Sequence, residues 1–217
     1  MKKDVQIAID GPAGSGKSTI ARKLAERLNL DYIDTGAMYR AITLAAINTG
    51  IAPGDLKGII DTAVRSRIQL RGVKVFLNGE DVSLKVRMPM VDKRVSEVAS
   101  IPEVRKILVG LQRQMAARGG IVMDGRDIGT SVLPEARFKF FLTATLEERA
   151  KRRFQDLVKT NPQITLKQVM NEMERRDLLD STRGHSPLKV ADDAVVIDTT
   201  GKSIEEVLDE IMGIVGG

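Results

Sequence analysis

Residues 5–19 read VQIAIDGPAGSGKST, and the fold follows from this stretch. Val5–Asp10 is a short β-branched run that ends in an acid before Gly-Pro, the pattern of a buried strand. Downstream, Ile20, Ala21, Leu24, Ala25 and Leu28 form one stripe at helical spacing. Between them, Gly11–Thr19 matches G-x-x-x-x-G-K-[ST] at Gly11, Gly16, Lys17 and Ser18. Glycines let successive N–H groups turn inward into an anion nest, and the following helix offers its positive end to the same anion. Gly11, Pro12, Ala13, Gly14, Ser15, Gly16, Lys17, Ser18 and Thr19 are therefore candidate contacts for the phosphates of a nucleoside triphosphate. Lys17 would set an ammonium between the outer phosphates. Ser18 would bring a hydroxyl to Mg2+, a hard ion that takes oxygen ligands, and Thr19 would reach an inner phosphate. The alternative, a plain glycine-rich turn capped by Ser18, leaves the strand-loop-helix context unexplained.

Outward from the loop, Asp31–Thr35 reads as a second strand or extended turn, and Tyr39–Asn48 as a helix. Strand, loop, helix, strand, helix implies a parallel sheet with crossover helices. The rhythm breaks between Arg67 and Val82, where Ile68, Leu70, Val73, Val75 and Leu77 precede Asn78-Gly79. Period-two patterning beside Asn-Gly predicts hairpins. We expect a small antiparallel module at about residues 65–90, the alternative being two edge strands of the main sheet. Parallel rhythm then returns. Helices are expected over Val91–Ser100, Pro102–Arg118, Thr145–Val158, Thr165–Leu179 and Ile204–Met212, and strands over Gly120–Asp124, Phe138–Leu142 and Ala194–Asp198.

The chain has 217 residues, which suggests one domain, at roughly 100–200 residues each. Without cysteine, disulfide scaffolds, thiolate zinc sites and cysteine nucleophiles are excluded, and a single histidine leaves no His-rich metal site. Aromatic residues are 3%, too few for rows of rings stacking on single-stranded nucleic acid. Lys and Arg exceed Asp and Glu by 34 to 29; the net +5 suits either a solvated basic surface or an anionic ligand. No run approaches the ~20 apolar residues of a membrane span, and the start lacks a signal-peptide pattern. The expectation is a cytoplasmic protein with no membrane partner.

Two further clusters sit where strands are expected to end. Asp34-Thr35-Gly36-Ala37-Met38-Tyr39-Arg40 follows the second strand, and ligands of parallel sheets gather at such carboxyl ends. Arg40 would fork onto a phosphate, or else be a solvated helix arginine. Asp124-Gly125-Arg126-Asp127-Ile128-Gly129-Thr130 closes a hydrophobic strand, where Asp124 would help hold Mg2+ through water. The alternative is a tight turn with Arg126 and Asp127 paired at the surface. Arg149, Arg152, Arg153, Arg175, Arg176 and Arg183 form an arginine-rich tract suited to a lid over a triphosphate, with part of it simply solvated.

Along nearly its whole length the chain resembles the bacterial cytidylate kinases. The matching stretches are IAIDGPAGSGKST (7–19), DTGAMYR (34–40), VASIPEVR (98–105), DGRDIGT (124–130) and ERRD…D…R (174–183). The resemblance implies an α/β nucleoside monophosphate kinase fold: a parallel sheet flanked by helices, a small antiparallel β insert and an arginine-rich lid. It implies a monophosphate-binding region over 34–119, a lid over 150–185, and a monomer. It further implies ATP at Gly11–Thr19, with Arg152 or Arg153 acting on ATP from the lid. Arg40, Arg126 and Arg183 would hold the acceptor phosphate, with Thr35 supplying a hydroxyl where the family often has Ser. Ser96, Arg105 and Asp127 would read cytosine, while Arg176 and Asp180 would contact the sugar. Lys17, Arg126 and Arg183 would carry catalysis, with Mg2+ near Ser18 and Asp124. The implied reaction is transfer from ATP to CMP or dCMP. Two other readings of the residues remain at this point: a kinase of a metabolite hydroxyl, similar to shikimate kinase, and a nucleotide-dependent RNA-binding protein suggested by the basic charge.

Overall fold

A computed structural model describes residues 5–159 and 161–216, so Lys2, Lys3 and, within the expected lid, Thr160 lie outside the described residues. Five parallel strands form the main sheet: β1 (Gln6–Asp10), β2 (Asp31–Asp34), β6 (Ile121–Asp124), β7 (Phe138–Thr143) and β8 (Val195–Asp198), in the order β2-β6-β1-β7-β8. Pairing sets Ile9 and Asp34 opposite Asp124, so the acids that end β1, β2 and β6 share one edge of the sheet. That edge is the carboxyl edge, where the site forms.

Alternation along β1 explains the layers. Ile7 and Ile9 face α1 (Lys17–Leu28) and α8 (Ile204–Gly216), packing with Leu24, Phe140, Leu142 and Leu208. Ala8 faces the other way, with Ile33, Met123 and Ile128. A further core joins α2 (Thr35–Asn48), α3 (Leu56–Arg65), α4 (Pro89–Ser100) and α5 (Pro102–Ala116) to the insert. Asp34 caps α2 by accepting the Ala37 N–H at 2.8 Å, so the helix starts at Thr35 rather than at Tyr39.

The antiparallel module is a sheet of its own, which removes the edge-strand alternative. It comprises β3 (Ile68–Arg71), β4 (Lys74–Leu77) and β5 (Glu80–Asp81). Asn78 and Gly79 join Leu77 to Glu80 with φ of 52° and 90°, the two left-handed residues of a type I′ turn. Helix α3 has no counterpart in the sequence reading, although Asp55 caps it on the Gly58 N–H. Helices α6 (Leu146–Leu157) and α7 (Leu166–Thr182) pack mainly on each other, around Ala150, Val169 and Met173. This two-helix arm stands over the carboxyl edge of the sheet.

Candidate active site

The glycine-rich loop leaves β1 through a backbone only glycine can adopt. Gly11 has φ 146°, and a Cβ there would lie 2.0 Å from the Leu142 carbonyl oxygen of β7. Gly16 caps α1 in the left-handed region, φ 89°. Lys17 is buried, and its Nζ donates to the Pro12 carbonyl at 2.5 Å and to Ser15 Oγ at 3.2 Å. Burial, and then repulsion from Arg126, push the Lys17 ammonium well below the ordinary lysine range.

Beside the loop, Asp124 gathers three hydroxyls. Ser18 Oγ donates to Oδ2 at 2.7 Å, Tyr32 Oη to Oδ1 at 2.9 Å, and Thr35 Oγ1 to the backbone oxygen at 2.7 Å. Burial, followed by the Asp34 charge, raises the Asp124 carboxyl to about 6. Asp34 in turn accepts from Arg87 at 2.5 Å. The set is rich in oxygen donors, the chemistry a hard cation takes.

A cavity of about 590 Å³ opens in front of the loop and is walled by Lys17, Ser18, Thr19, Arg40, Arg126, Arg152, Arg153 and Arg176. Arg176 Nε is buried with no partner. Burial, then the charges of Arg126 and Arg40, lower Arg176 to about 10. Arg126 Nε donates to Asp180 at 2.9 Å. Burial opposes ionisation of Asp180, but Arg126 and Arg176 hold its carboxyl below the usual range. Arg40 and Arg153 both donate to Asp92, one to each oxygen. Several guanidinium groups and an ammonium thus face one space with few carboxylates to balance them.

At the far side, Asp127 is buried between Arg105, which donates to Oδ2, and Arg183, which donates to Oδ1 at 3.2 Å. The expected alternative, Arg126 paired with Asp127 at the surface, does not occur: Arg126 turns to Asp180 instead. Arg105 lies 5.5 Å from the centre of the Tyr39 ring. Ser96 is half-buried on α4. The arginine tract divides. Arg149 is a buried brace, donating to Ala13 O at 3.0 Å in the loop and to Asp177 at 2.6 Å in α7. Arg175 is exposed. Arg152 donates to Thr199 Oγ1 at 3.0 Å and to Thr199 O at 2.7 Å, which sets it beside Gly16.

The profile of the cytidylate kinase family matches residues 7–216. The cytidylate kinase of Caldanaerobacter subterraneus subsp. tengcongensis is 53% identical over 95% of this chain and 92% of its own. That of Desulforamulus reducens is 53% identical over 95% of this chain and 94% of its own. This chain belongs to the cytidylate kinase family. Among solved structures, the shikimate kinase from Acinetobacter baumannii in complex with shikimate is similar in fold, with a TM-score of 0.51 at 15% identity over 99% of this chain and 94% of that one.

For a member of the cytidylate kinase family, the sequence reading missed four polar residues that organise the site. Asp10 accepts the N–H groups of Ile128 at 2.8 Å and Gly129 at 2.7 Å, so it fixes the loop that carries Arg126 and Asp127. Tyr32 steadies Asp124, Asp92 joins Arg40 to Arg153, and Thr199 bonds the loop at Ser15 O, 3.3 Å away. Asp10 ends β1 and Tyr32 lies inside β2, two residues before its end, so nearness to the carboxyl edge was the available signal. Nothing local marks Asp92 or Thr199.

Proposed function

We propose that the chain transfers the terminal phosphoryl group of ATP to the phosphate of CMP, and of dCMP, releasing ADP and CDP or dCDP, as a step of pyrimidine nucleotide metabolism. The observation that carries this reading is the unbalanced cationic cavity beside the glycine-rich loop, with Lys17 buried and Arg176 Nε unpartnered. Two sets of phosphates brought together would supply the missing negative charge. The likeness to shikimate kinase supports the fold alone, and nothing beyond the basic charge favours an RNA-binding role.

The chemistry needs no general base, because the attacking phosphate oxygen is already anionic. Gly11–Thr19 would hold ATP through backbone N–H groups, and Lys17 would neutralise charge between the outer phosphates. A triphosphate there offsets the burial and repulsion that depress the Lys17 ammonium. Arg40, Arg126 and Arg183 would seat the acceptor phosphate in line, and Arg152 and Arg153 would act from the arm. Ser96, Arg105 and Asp127 would read cytosine, with Arg176 and Asp180 toward the sugar. Ser18 Oγ and, through water, Asp124 are the oxygen donors that would hold Mg2+, whose charge would help neutralise the transferring phosphates.

Residues 150–185 act as a lid in this scheme, and the enzyme works as a cytoplasmic monomer without nucleic acid or membrane. Among the described residues no helix is long and apolar enough to cross a membrane. The test is coupled ADP release across nucleoside monophosphates and shikimate. CMP and dCMP are expected to support turnover at least tenfold above UMP, AMP, GMP and shikimate. Turnover with shikimate or with none of the nucleotides would overturn the reading.

A further inference from the structure

Asp92 lies in the first turn of α4 and belongs to no stretch through which the family was recognised. Its carboxylate is nine-tenths buried, and each oxygen is taken by a guanidinium from a different part of the molecule. Oδ1 receives Arg40, from α2, and Oδ2 receives Arg153, from α6 of the arm. Among the described residues, Arg40 has little else: its other hydrogen bond is a long one, to Val86 O at 3.5 Å. Arg176 of α7 also faces this carboxylate and, with Arg40 and Arg153, helps keep it ionised against the cost of burial. So a single negative charge joins α2, α4 and the arm, and it does so on the wall of the cationic cavity.

We infer that Asp92 is a positioning residue through which the acceptor and donor sites sense each other, an inference that rests on the function proposed above. An acceptor phosphate arriving at Arg40 competes with Asp92 for that guanidinium. Asp92 then has only the arm arginines left to neutralise it, and its pull on Arg153 grows. The arm is drawn toward α4 and over the loop, where the donor phosphates lie. Acceptor binding thereby tightens donor binding, and by linkage the reverse holds to the same factor.

The test is calorimetric titration of the intact chain with a non-hydrolysable ATP analogue and Mg2+, with and without saturating CMP. Wild type is expected to bind the analogue about 5-fold or more tightly when CMP is present, the lower end of ordinary coupling. Asp92→Asn is expected to reduce that ratio to less than about 2-fold. Arg153→Ala, which cuts the same link from the exposed side, should do likewise and guards against an Asp92 variant that misfolds. A residue that merely supports α4 would lower both affinities and leave the ratio alone. A ratio near one in wild type, or a wild-type ratio retained in both variants, overturns the inference. Failure of wild type to bind CMP at all would instead overturn the function on which it rests.

Discussion

In the sheet core, Ile7, Ile9, Leu24, Phe140 and Leu142 are fully buried, and every one of them touches others of the same kind. In the α6–α7 arm, Ala150, Val169 and Met173 form a small buried apolar set with Ala13 of the loop against it, and the polar links to the rest of the chain run through arginines: Arg153 to Asp92, Arg126 to Asp180, Arg149 to the loop carbonyl of Ala13 and Arg152 to Thr199. Burying one large aliphatic side chain is worth roughly 1.5–3 kcal/mol and depends little on salt. Ion pairs that reach solvent contribute about 0–1 kcal/mol and weaken as salt rises. The difference teaches that the core is fixed by area removed from water, whereas the arm is placed by charge. Phosphates carry the charge that could place it again.

The largest expected effect lies where the two regions face each other. Lys17→Ala should lower kcat by at least ~10³, on the order of 4 kcal/mol of transition-state stabilisation, with little change in thermal stability. Steady-state ADP release and a melting curve on the same sample check both halves. Turnover within tenfold of wild type would remove the loop from the mechanism.

Next comes a matched pair of truncations. Leu24→Ala in the core should cost roughly 3 kcal/mol in urea unfolding, the usual loss for a buried Leu that leaves a cavity. Val169→Ala in the arm should cost about 1 kcal/mol or less globally, because the arm opens before the core does. Equal losses would mean the two regions unfold as one.

Hydrogen exchange sharpens the contrast without mutation. Arm amides should exchange at least ~10-fold faster than those of β1 and β7 in the free chain, and should become protected when an ATP analogue and CMP are both bound. Equal protection with and without nucleotides would remove the lid.

The last test asks whether charge also matters within the core. Burial, partly offset by the N–H groups of Gly129 and Ile128, raises the Asp10 carboxyl from 3.8 to about 6. Between those values the folded chain keeps a proton that the unfolded chain has released. Stability from this group is therefore full below about pH 4 and is lost as pH rises through 6. The stability of wild type relative to Asp10→Asn should fall over that window, by no more than about 1.4 kcal/mol per pH unit. A flat difference would show Asp10 ionised throughout.

These outcomes also mark how far residues alone could be read. The loop was legible because its chemistry is local: Gly11, Gly16, Lys17 and Ser18 carry the pattern within eight positions. Asn78-Gly79 was legible for the same reason, since a two-residue hairpin turn with two positive φ values favours a few dipeptides, Asn-Gly foremost among them. Helix α3 was hidden because it is short and carries Gly58 in its first turn; tertiary packing of Ile59 and Ala63 outweighs that weak propensity. The arginine tract was legible as a tract but not residue by residue. Arg149, Arg152 and Arg153 sit within five positions, yet one braces the loop, one leans on Thr199 and one reaches Asp92. Their partners lie 136, 47 and 61 residues away, beyond any local rule.

Thr199 carries a consequence for how the chain acquires its site. Its hydroxyl meets Ser15 O across a separation of 184 residues, and Thr143 O across 56. The glycine-rich loop is thus synthesised early but framed only after β8 has left the ribosome and zipped onto β7. A growing chain that stops short of β8 would hold the glycine-rich loop with one wall missing. Contacts this distant along the chain are slow to form, so nucleotide affinity should arise as one of the last events of folding.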